Sequence, residues 1–274
     1  MTEARLIIER RSRFAALNFR ELWQYRDLLW TLAGRDIKLR YKQTVLGVAW
    51  VIAQPLIAAA IFAFVFGRVA KLPSDGVPYF LFAYAGLLGW NVFNSTLTKV
   101  SACLIGNAQL VSKVYFPRLI LPLSTVGSTL LDFAVALALF VVLMIVKGVE
   151  PTWGILLLPI WLALLLMLAI GLGLYSAALM VLYRDLQYVL PIVLQFLLYA
   201  SPVAYAVSSA PESLRSILML NPLAGLLEAF RWSLLGRGHI ETSAIVYSAA
   251  VAEMSFVLGA LAFRQMERRF ADVI

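Results

Sequence analysis

The sequence predicts an all-α integral membrane protein, and three observations lead to that prediction. Hydrophobic residues make up 62% of the 274 residues, charged residues make up only 14%, and the mean hydropathy is +0.86. This composition excludes an ordinary soluble globular domain. The formal net charge of +8 comes mostly from residues at the edges of apolar runs. That distribution suits anionic lipid head groups and argues against nucleic-acid binding.

Six segments are long and apolar enough to form membrane-spanning helices, each of which needs about 20 residues to cross roughly 30 Å of hydrocarbon. They lie at residues 45–67, 77–97, 119–146, 155–182, 188–207 and 242–263. Of the 23 lysines and arginines, only Arg68, Lys71, Lys147, Arg215, Arg231 and Arg237 fall in the loops assigned to the outside. The excess of positive charge on the other side places both termini in the cytoplasm.

These spans define three parts of the chain. We expect an N-terminal cytoplasmic segment at residues 1–44, a transmembrane domain at residues 45–264 and a cytoplasmic tail at residues 265–274.

The N-terminal part contains an amphipathic segment, predicted to form an interfacial helix over about residues 27–44. At 100° per residue, Arg35, Lys38 and Lys42 fall on one side of residues 27–42, and Leu32 is among the apolar residues of the other side. The alternative is a positive cluster that only fixes topology. No linker separates this segment from the first span, so we expect a rigid junction near residues 45–47.

The segment at residues 99–118 is too polar to span a membrane and too apolar for a free loop. It favours a short cytoplasmic helix that docks onto a partner protein, with simple packing against the bundle as the alternative. Pro117 ends any such helix before the third span.

Between the fifth and sixth spans, residues 211–238 are apolar but interrupted by Asn221 and Pro222, which suit a helix cap and a first helical position. Two half-helices that enter the outer leaflet and return are predicted here. Glu228 and Arg231, spaced i and i+3, can pair on the second half-helix. Alternatively, Arg231 extends to the membrane surface beside Trp232 as an anchor.

The sequence contains no motif for catalysis or for nucleotide binding. One cysteine and one histidine leave no cluster for a metal site. "GLGLYSA" at residues 171–177 lies inside the fourth span and indicates close helix packing. Asp132 and Glu253 are ionisable residues at membrane depth. Each could serve a proton relay or bind a sugar, or could lie near a helix end or at a hydrated subunit seam.

Four stretches together resemble a known family. They are "LLWTLAGRDIKLRYKQTVLGVAWVIAQPL" at 28–56, "LVSKVYFPRLILPLS" at 110–124, "YRDLQYVLPIVLQFLLYASPVAY" at 183–205 and "NPLAGLLEAFRW" at 221–232. In this order they are similar to the type-2 ABC transporter permeases that export polysaccharides.

The resemblance implies a non-catalytic permease that works as a homodimer with two copies of a separate ATPase, which binds ATP and Mg. This chain would bind no cofactor itself. The complex would move a lipid-linked polysaccharide, of the O-antigen, capsule or teichoic acid type, from the cytoplasmic to the outer side of the plasma (inner) membrane. The sugar, the polymer length and the carrier lipid stay open.

The resemblance also implies roles for particular residues. The lipid diphosphate would enter at a gate helix that carries Arg35, Lys38, Arg40 and Lys42. Aromatic side chains of the first and fifth spans would line the channel: Trp50, Phe62, Phe66, Tyr199 and Tyr205. The ATPase would contact a coupling segment at residues 104–115 and the "YRDL" turn at 183–186, with Leu104, Asn107, Leu110, Lys113, Tyr115, Arg184 and Asp185. The re-entrant outer helices would include Asn221, Pro222, Glu228 and Arg231.

Rival functions from the same sequence are a lipid-linked sugar flippase driven by an ion gradient through Asp132 or Glu253, an exporter of another amphipathic substrate, and a lipid-modifying membrane enzyme. Dependence of transport on a separate ATP-binding subunit distinguishes the leading interpretation from the first and third.

Overall fold

The computed structural model describes residues 19–42, 47–238 and 240–273. Within these ranges all regular structure is helical. The α-helices are α1 (Phe19–Gln24), α2 (Arg26–Lys42), α3 (Gly47–Phe62), α4 (Tyr79–Gly106), α5 (Ala108–Lys113), α6 (Ile120–Val146), α7 (Leu158–Leu182), α8 (Leu186–Ala200), α9 (Glu212–Met219), α10 (Pro222–Leu235) and α11 (Thr242–Val273). A π-helical stretch, Ala63–Val69, continues α3, and short 3₁₀ turns form at Trp153–Leu157 and Val207–Ser209.

Four helices of the described chain are long and apolar enough to cross a membrane. They are Ile52–Val69, Ile120–Val146, Trp153–Leu182 and Thr242–Glu267, and they coincide with the predicted first, third, fourth and sixth spans. Each is at least 18 residues long, close to the length that spans the hydrocarbon core. The chain is therefore a multi-pass membrane protein.

The second predicted span, 77–97, lies in α4, which continues to Gly106. This helix is less apolar than the other four because it lies at the centre of the bundle, against α3, α6, α7 and α10. Residues 81–90 are all buried. A helix that faces protein on most sides needs little apolar surface toward lipid, so polar residues such as Asn94 and Thr96 are accommodated.

The fifth predicted span, 188–207, differs most from the structure. Helix α8 ends at Ala200 and Ser201 has extended backbone angles, φ −108° and ψ 148°. The cause is Pro202, whose ring disfavours the helical region for the residue before it. At 15 residues α8 is about 22 Å long. The remaining residues, 201–207, form a largely buried segment that we call the outer turn.

The core consists of two apolar clusters along the helix axes. The inner cluster, at the end predicted to be cytoplasmic, includes Leu32, Leu104, Val111 and Phe263. The outer cluster, toward the other end, includes Tyr84, Phe93, Leu165, Leu194 and Phe230. Helices α2 and α5 therefore pack with the inner end of the bundle, whereas α10 packs with the outer end.

Helices α7 and α11 share the most extensive helix–helix contact of the described chain, and two glycines permit their close approach. A Cβ atom on Gly259 would overlap the Gly171 carbonyl group, and one on Gly171 would overlap the backbone at Ser255. This confirms the close helix packing predicted from the glycines at residues 171–177. The predicted junction between the amphipathic helix and the first span falls largely on residues 43–46, which lie outside the described ranges.

Candidate functional site

Two exposed elements lie together at the inner end of the bundle. The first is α5, which turns Val111 into the inner cluster and leaves Lys113 exposed. Just after α5, Tyr115 is 82% exposed. Leu110 is half-buried. Leu104, which the resemblance places in the coupling contact, is fully buried at the end of α4. It therefore supports α5 from within and does not contribute to the exposed surface.

The second element is the turn between α7 and α8, where Tyr183, Arg184 and Asp185 are all exposed. The Asp185 carbonyl accepts hydrogen bonds from the amides of the first turn of α8, so the turn leads directly into that helix. Val181, just before the turn, belongs to the same inner cluster as Val111 of α5. The fold thus brings the two predicted ATPase contacts to one end of the molecule.

The amphipathic helix α2 is docked on the bundle. Leu32 and Ala33 are buried, and α2 packs along α6, where a Cβ atom on Gly127 would lie 3.2 Å from the Ala33 side chain. Lys38 is exposed, as predicted for the cationic side. Arg40 and Lys42 belong to α2, but their side chains lie outside the described part. Helix α2 therefore packs against the bundle through part of its apolar side.

Arg35 has a different environment from Lys38. Its Nη2 donates to Asn107 Oδ1 at 2.8 Å, and its Nε and Nη2 donate to Asp36 Oδ1 at 3.1 and 2.9 Å. Asn107 in turn donates from Nδ2 to the Cys103 carbonyl at 2.9 Å. The resemblance places Arg35 among the lipid-binding cations and Asn107 in the coupling segment. The structure joins these two residues to each other.

The five predicted channel aromatics form two pairs and one separate residue. Phe62 and Phe66 meet edge to face with ring centroids 5.4 Å apart, and Phe66 lies in the π-helical stretch. The Tyr205 hydroxyl donates to the Tyr199 carbonyl at 3.3 Å. Trp50, near the start of α3, is 58% exposed. The two pairs belong to segments that contact α4, so they are placed by a common neighbour.

Arg231 is the centre of a buried network at the outer end. It is only 3% exposed, and its Nη1 donates to the carbonyls of Pro202 and Tyr205 at 2.9 and 3.4 Å. Its Nη2 lies 3.6 Å from Glu228 Oε1, and its guanidinium lies 4.2 Å from the Phe82 ring centre. The predicted pair with Glu228 is confirmed. The alternative of a surface anchor is wrong because the fold encloses the charged group.

Burial sets the electrostatics of this network. Burial raises the pKa of Glu228 above its ordinary value and lowers the pKa of Arg231, and the charge of each partner opposes the shift in the other. Glu228 Oε1 also accepts a hydrogen bond from the Val207 amide at 2.7 Å, which favours the ionised carboxylate. The pair is held as a hydrogen-bonded unit between α10 and the outer turn.

Other groups hold the same outer turn. The Tyr79 hydroxyl donates to the Ala204 carbonyl, and Asn221 Nδ2 donates to Ser201 Oγ at 2.9 Å. Asn221 Oδ1 accepts the Leu223 amide at 3.0 Å, so Asn221 caps α10 and Pro222 begins it, as predicted. Gly86 of α4 lies where a Cβ atom would overlap the carbonyl of Val203. The turn is fixed from both α4 and α10.

The two acids at membrane depth have unlike surroundings. Asp132 on α6 pairs with Lys99 on α4 at 3.4 Å, and the Lys99 ammonium also donates to Ser128 Oγ and Thr129 Oγ1 at 2.9 and 3.1 Å. Glu253 on α11 is exposed. The second predicted span ends at residue 97 and Lys99 begins the predicted cytoplasmic segment 99–118, whereas the structure places Lys99 inside α4. The sequence feature that could have revealed this position of Lys99 is the opposite charge of Asp132, at a comparable depth on the following span.

In the part of the chain that the structure describes, no three His, Cys, Asp or Glu side chains are grouped so that they could hold a metal ion.

Comparison with known proteins finds a matching family and several relatives of this chain. Residues 27–235 match the protein family described as "ABC-2 type transporter". The chain is 31% identical over 253 residues to "O-antigen export system permease protein RfbA" of Klebsiella pneumoniae, covering 90% of this chain and 95% of that relative. A Myxococcus xanthus protein of the same name is 30% identical over 257 residues, covering 93% and 98%. "Polysialic acid transport protein KpsM" of Escherichia coli is 25% identical over 239 residues, covering 85% and 91%.

Proposed function

Because the chain belongs to the ABC-2 type transporter family, we propose that it is the membrane permease subunit of an ATP-driven exporter of polysaccharide. The observation that carries the proposal is the likeness to O-antigen export permeases over nearly the whole of both chains. The substrate is a lipid-linked polysaccharide of the O-antigen, capsule or teichoic acid type. It moves from the cytoplasmic to the outer side of the plasma (inner) membrane.

The proposed topology has six spans, with α4 and α8 added to the four long apolar helices. The central position of α4 and the apolar sequence of α8 support this count. Both termini are then cytoplasmic, with residues 1–44 and 265–274 on either side of the transmembrane domain. Helices α9 and α10 form the re-entrant pair, supported by the Asn221 cap that starts α10 beside the outer turn.

The protein acts as a homodimer with two copies of a separate ATPase. The apolar side chains that α8 leaves exposed, among them Ile192, Val193 and Phe196, support a second copy across this face. At the inner end, the exposed residues of α5 and of the turn at 183–185 are where the ATPase docks. ATP and Mg are bound and ATP is hydrolysed on that partner, and this chain is not itself an enzyme.

The substrate enters at the cationic side of α2 and passes an aromatic surface. Lys38 is exposed there, and Arg40 and Lys42 extend the same basic segment toward the first span. Lysine and arginine suit a compact diphosphate because they supply charge together with several hydrogen-bond donors. Trp50, Phe62, Phe66, Tyr199 and Tyr205 offer flat apolar surfaces to sugar rings without requiring one hydrogen-bond pattern.

The test is transport in vesicles. The chain is reconstituted with or without its ATPase, and a lipid-diphosphate-linked oligosaccharide is followed as it becomes accessible to a lectin on the far side. We expect transport only with the ATPase and hydrolysable ATP, and none with a non-hydrolysable analogue. Transport by the chain alone in a proton gradient would contradict the proposal and favour the ion-driven flippase.

A further inference from the structure

The contact between Arg35 and Asn107 joins two elements that the sequence places far apart. Arg35 lies in α2, and Asn107 lies 72 residues later, between α4 and α5. The 2.8 Å distance from Arg35 Nη2 to Asn107 Oδ1 is that of a charge-assisted hydrogen bond. The cationic helix and the exposed coupling element are therefore directly bonded.

Asn107 is held in one orientation by its neighbours. Its Nδ2 donates to the Cys103 carbonyl in the last turn of α4, so its Oδ1 points to Arg35. Its own carbonyl accepts the amides of Leu110 and Val111, which form the first turn of α5. A displacement of α5 therefore displaces Asn107 as well.

Arg35 is equally constrained. Two of its nitrogens bind Asp36 Oδ1 on the neighbouring position of α2, and one of these also binds Asn107. This forked geometry needs a guanidinium, since the single nitrogen of lysine has no second donor atom in a fixed plane. Arg35 is thus directed along the protein surface toward α5, and Lys38 is the exposed cation nearest to it in the sequence of α2.

Both elements also contribute side chains to the inner cluster. Leu32 of α2 and Val111 of α5 are both buried in the inner cluster, together with Leu104 at the end of α4. Helices α2 and α5 are thus anchored in the same cluster, and the hydrogen bond joins α2 to Asn107 at the start of α5. Thr31 of α2 and Lys113 of α5 stay exposed.

We infer that Arg35 and Asn107 are positioning residues that transmit movement of α5 to the cationic helix α2, and so link ATP hydrolysis to the opening of the substrate entrance. This inference rests on the proposed function, in which α5 docks on the ATPase. It assigns Arg35 a role in coupling, and leaves binding of the lipid diphosphate to Lys38, Arg40 and Lys42.

The experiment measures polysaccharide exported per ATP hydrolysed by the reconstituted complex of permease and ATPase. The variants are Asn107→Ala, Arg35→Lys and the double variant, with Thr31→Ala as the control. Thr31 also makes a polar contact on α2, but its hydroxyl donates to the Asp27 carbonyl within the same helix. Assembly is checked by recovery of the ATPase with each purified variant.

We expect Asn107→Ala and Arg35→Lys each to lower export per ATP by about fivefold, the lower end of the range of coupling between sites in one protein. The double variant should be no worse than the worse single variant, because both remove one link. The KM for the lipid-linked substrate should stay unchanged, and Thr31→Ala should match the wild type.

Other results overturn the inference. If Asn107→Ala exports normally per ATP, or if Arg35→Lys keeps normal coupling, the forked hydrogen bonding from Arg35 to Asn107 does not transmit movement between the two elements. A raised KM for an Arg35→Gln variant, with Asn107→Ala silent, would instead make Arg35 a lipid contact. If Asn107→Ala fails to assemble, Arg35→Lys decides, since it leaves α5 unaltered. The proposed function fails separately, if the wild-type complex shows no ATP-dependent export.

Discussion

Two arginines, Arg231 at the outer end and Arg35 at the inner end, each connect segments distant in sequence, but in very different settings. Arg231 is 3% exposed and joins α10 to the outer turn through the carbonyls of Pro202 and Tyr205. It also pairs with Glu228 on its own helix and lies against the Phe82 ring of α4. The Arg35 side chain is 39% exposed and reaches across to a single acceptor, Asn107.

This difference in burial makes the Arg231 network a fixed junction and the Arg35 contact an adjustable one. Disrupting the Arg231 network would leave buried polar groups without water, which is costly. The Arg35 contact can break at low cost because water can replace the protein groups. The outer turn is therefore suited to hold the far end of α8 in place, and the inner contact is suited to change during a transport cycle.

The largest effect is expected at the buried network. Arg231→Met should lower the free energy of unfolding by about 3–5 kcal/mol, because it leaves the largely buried Glu228 carboxylate without its cation. Thermal unfolding of the purified protein in detergent measures this loss. The double variant Arg231→Met with Glu228→Gln should recover part of it. An unchanged melting temperature for the single variant would show that the network does not stabilise the outer end.

A smaller loss of stability is expected at the pair formed by Lys99 and Asp132, which lies between the inner and outer ends of the bundle. Asp132→Leu removes a carboxylate that accepts from Lys99 at 3.4 Å, and hydrogen bonds to charged groups contribute about 1.5–3 kcal/mol. The same unfolding measurement applies, with Lys99→Met and Asp132→Leu combined as the matched control. If the double variant is as unstable as the single one, then the pairing of the charges is not the source of the stability.

A larger residue at Gly86 of α4 tests how tightly the outer turn is packed against that helix. In Gly86→Ala the new Cβ atom would overlap the Val203 carbonyl, so the backbone must shift, at a cost of about 1–3 kcal/mol. Gly34→Ala on α2 is the matched control, because no atom lies within 4 Å of the added Cβ. It should be neutral or stabilising by up to about 1 kcal/mol. Equal melting temperatures for the two variants would remove the contrast between the ends.

The smallest effect on stability is expected for Arg35→Gln. A half-exposed ion pair contributes about 1 kcal/mol or less, so the melting temperature should remain close to that of the wild type. If this variant is destabilised as strongly as Arg231→Met, the inner contact is a fixed structural element, and the comparison between the two ends is wrong.

The features that the sequence predicted well depend on residues close together in the chain. Asn221 and Pro222 define a helix start by their own chemistry, and the spacing of Glu228 and Arg231 places them on one face of a helix. The four long apolar helices follow in the same way from a continuous run of side chains.

The features that the sequence did not predict depend on tertiary contacts. Nothing in the local pattern of α2 indicates that Arg35 turns toward a residue 72 positions later. Lys99 has the charge of a loop residue, and only the packing of α4 on α6 gives it Asp132, Ser128 and Thr129. The end of α8 at Ala200 was readable from Pro202, but the apolar run that continues to residue 207 concealed it.

The polarity of α4 has a consequence for how the protein is made. Asn91, Asn94, Thr98 and Lys99 make this helix a poor substrate for independent insertion into the bilayer, because each polar side chain raises the free energy of transfer from the translocon. The ionic partner of Lys99 is Asp132, which lies on α6 and is synthesised later. We therefore expect α4 to enter the lipid only together with its neighbours, so that biogenesis of the bundle depends on the order in which its helices leave the ribosome.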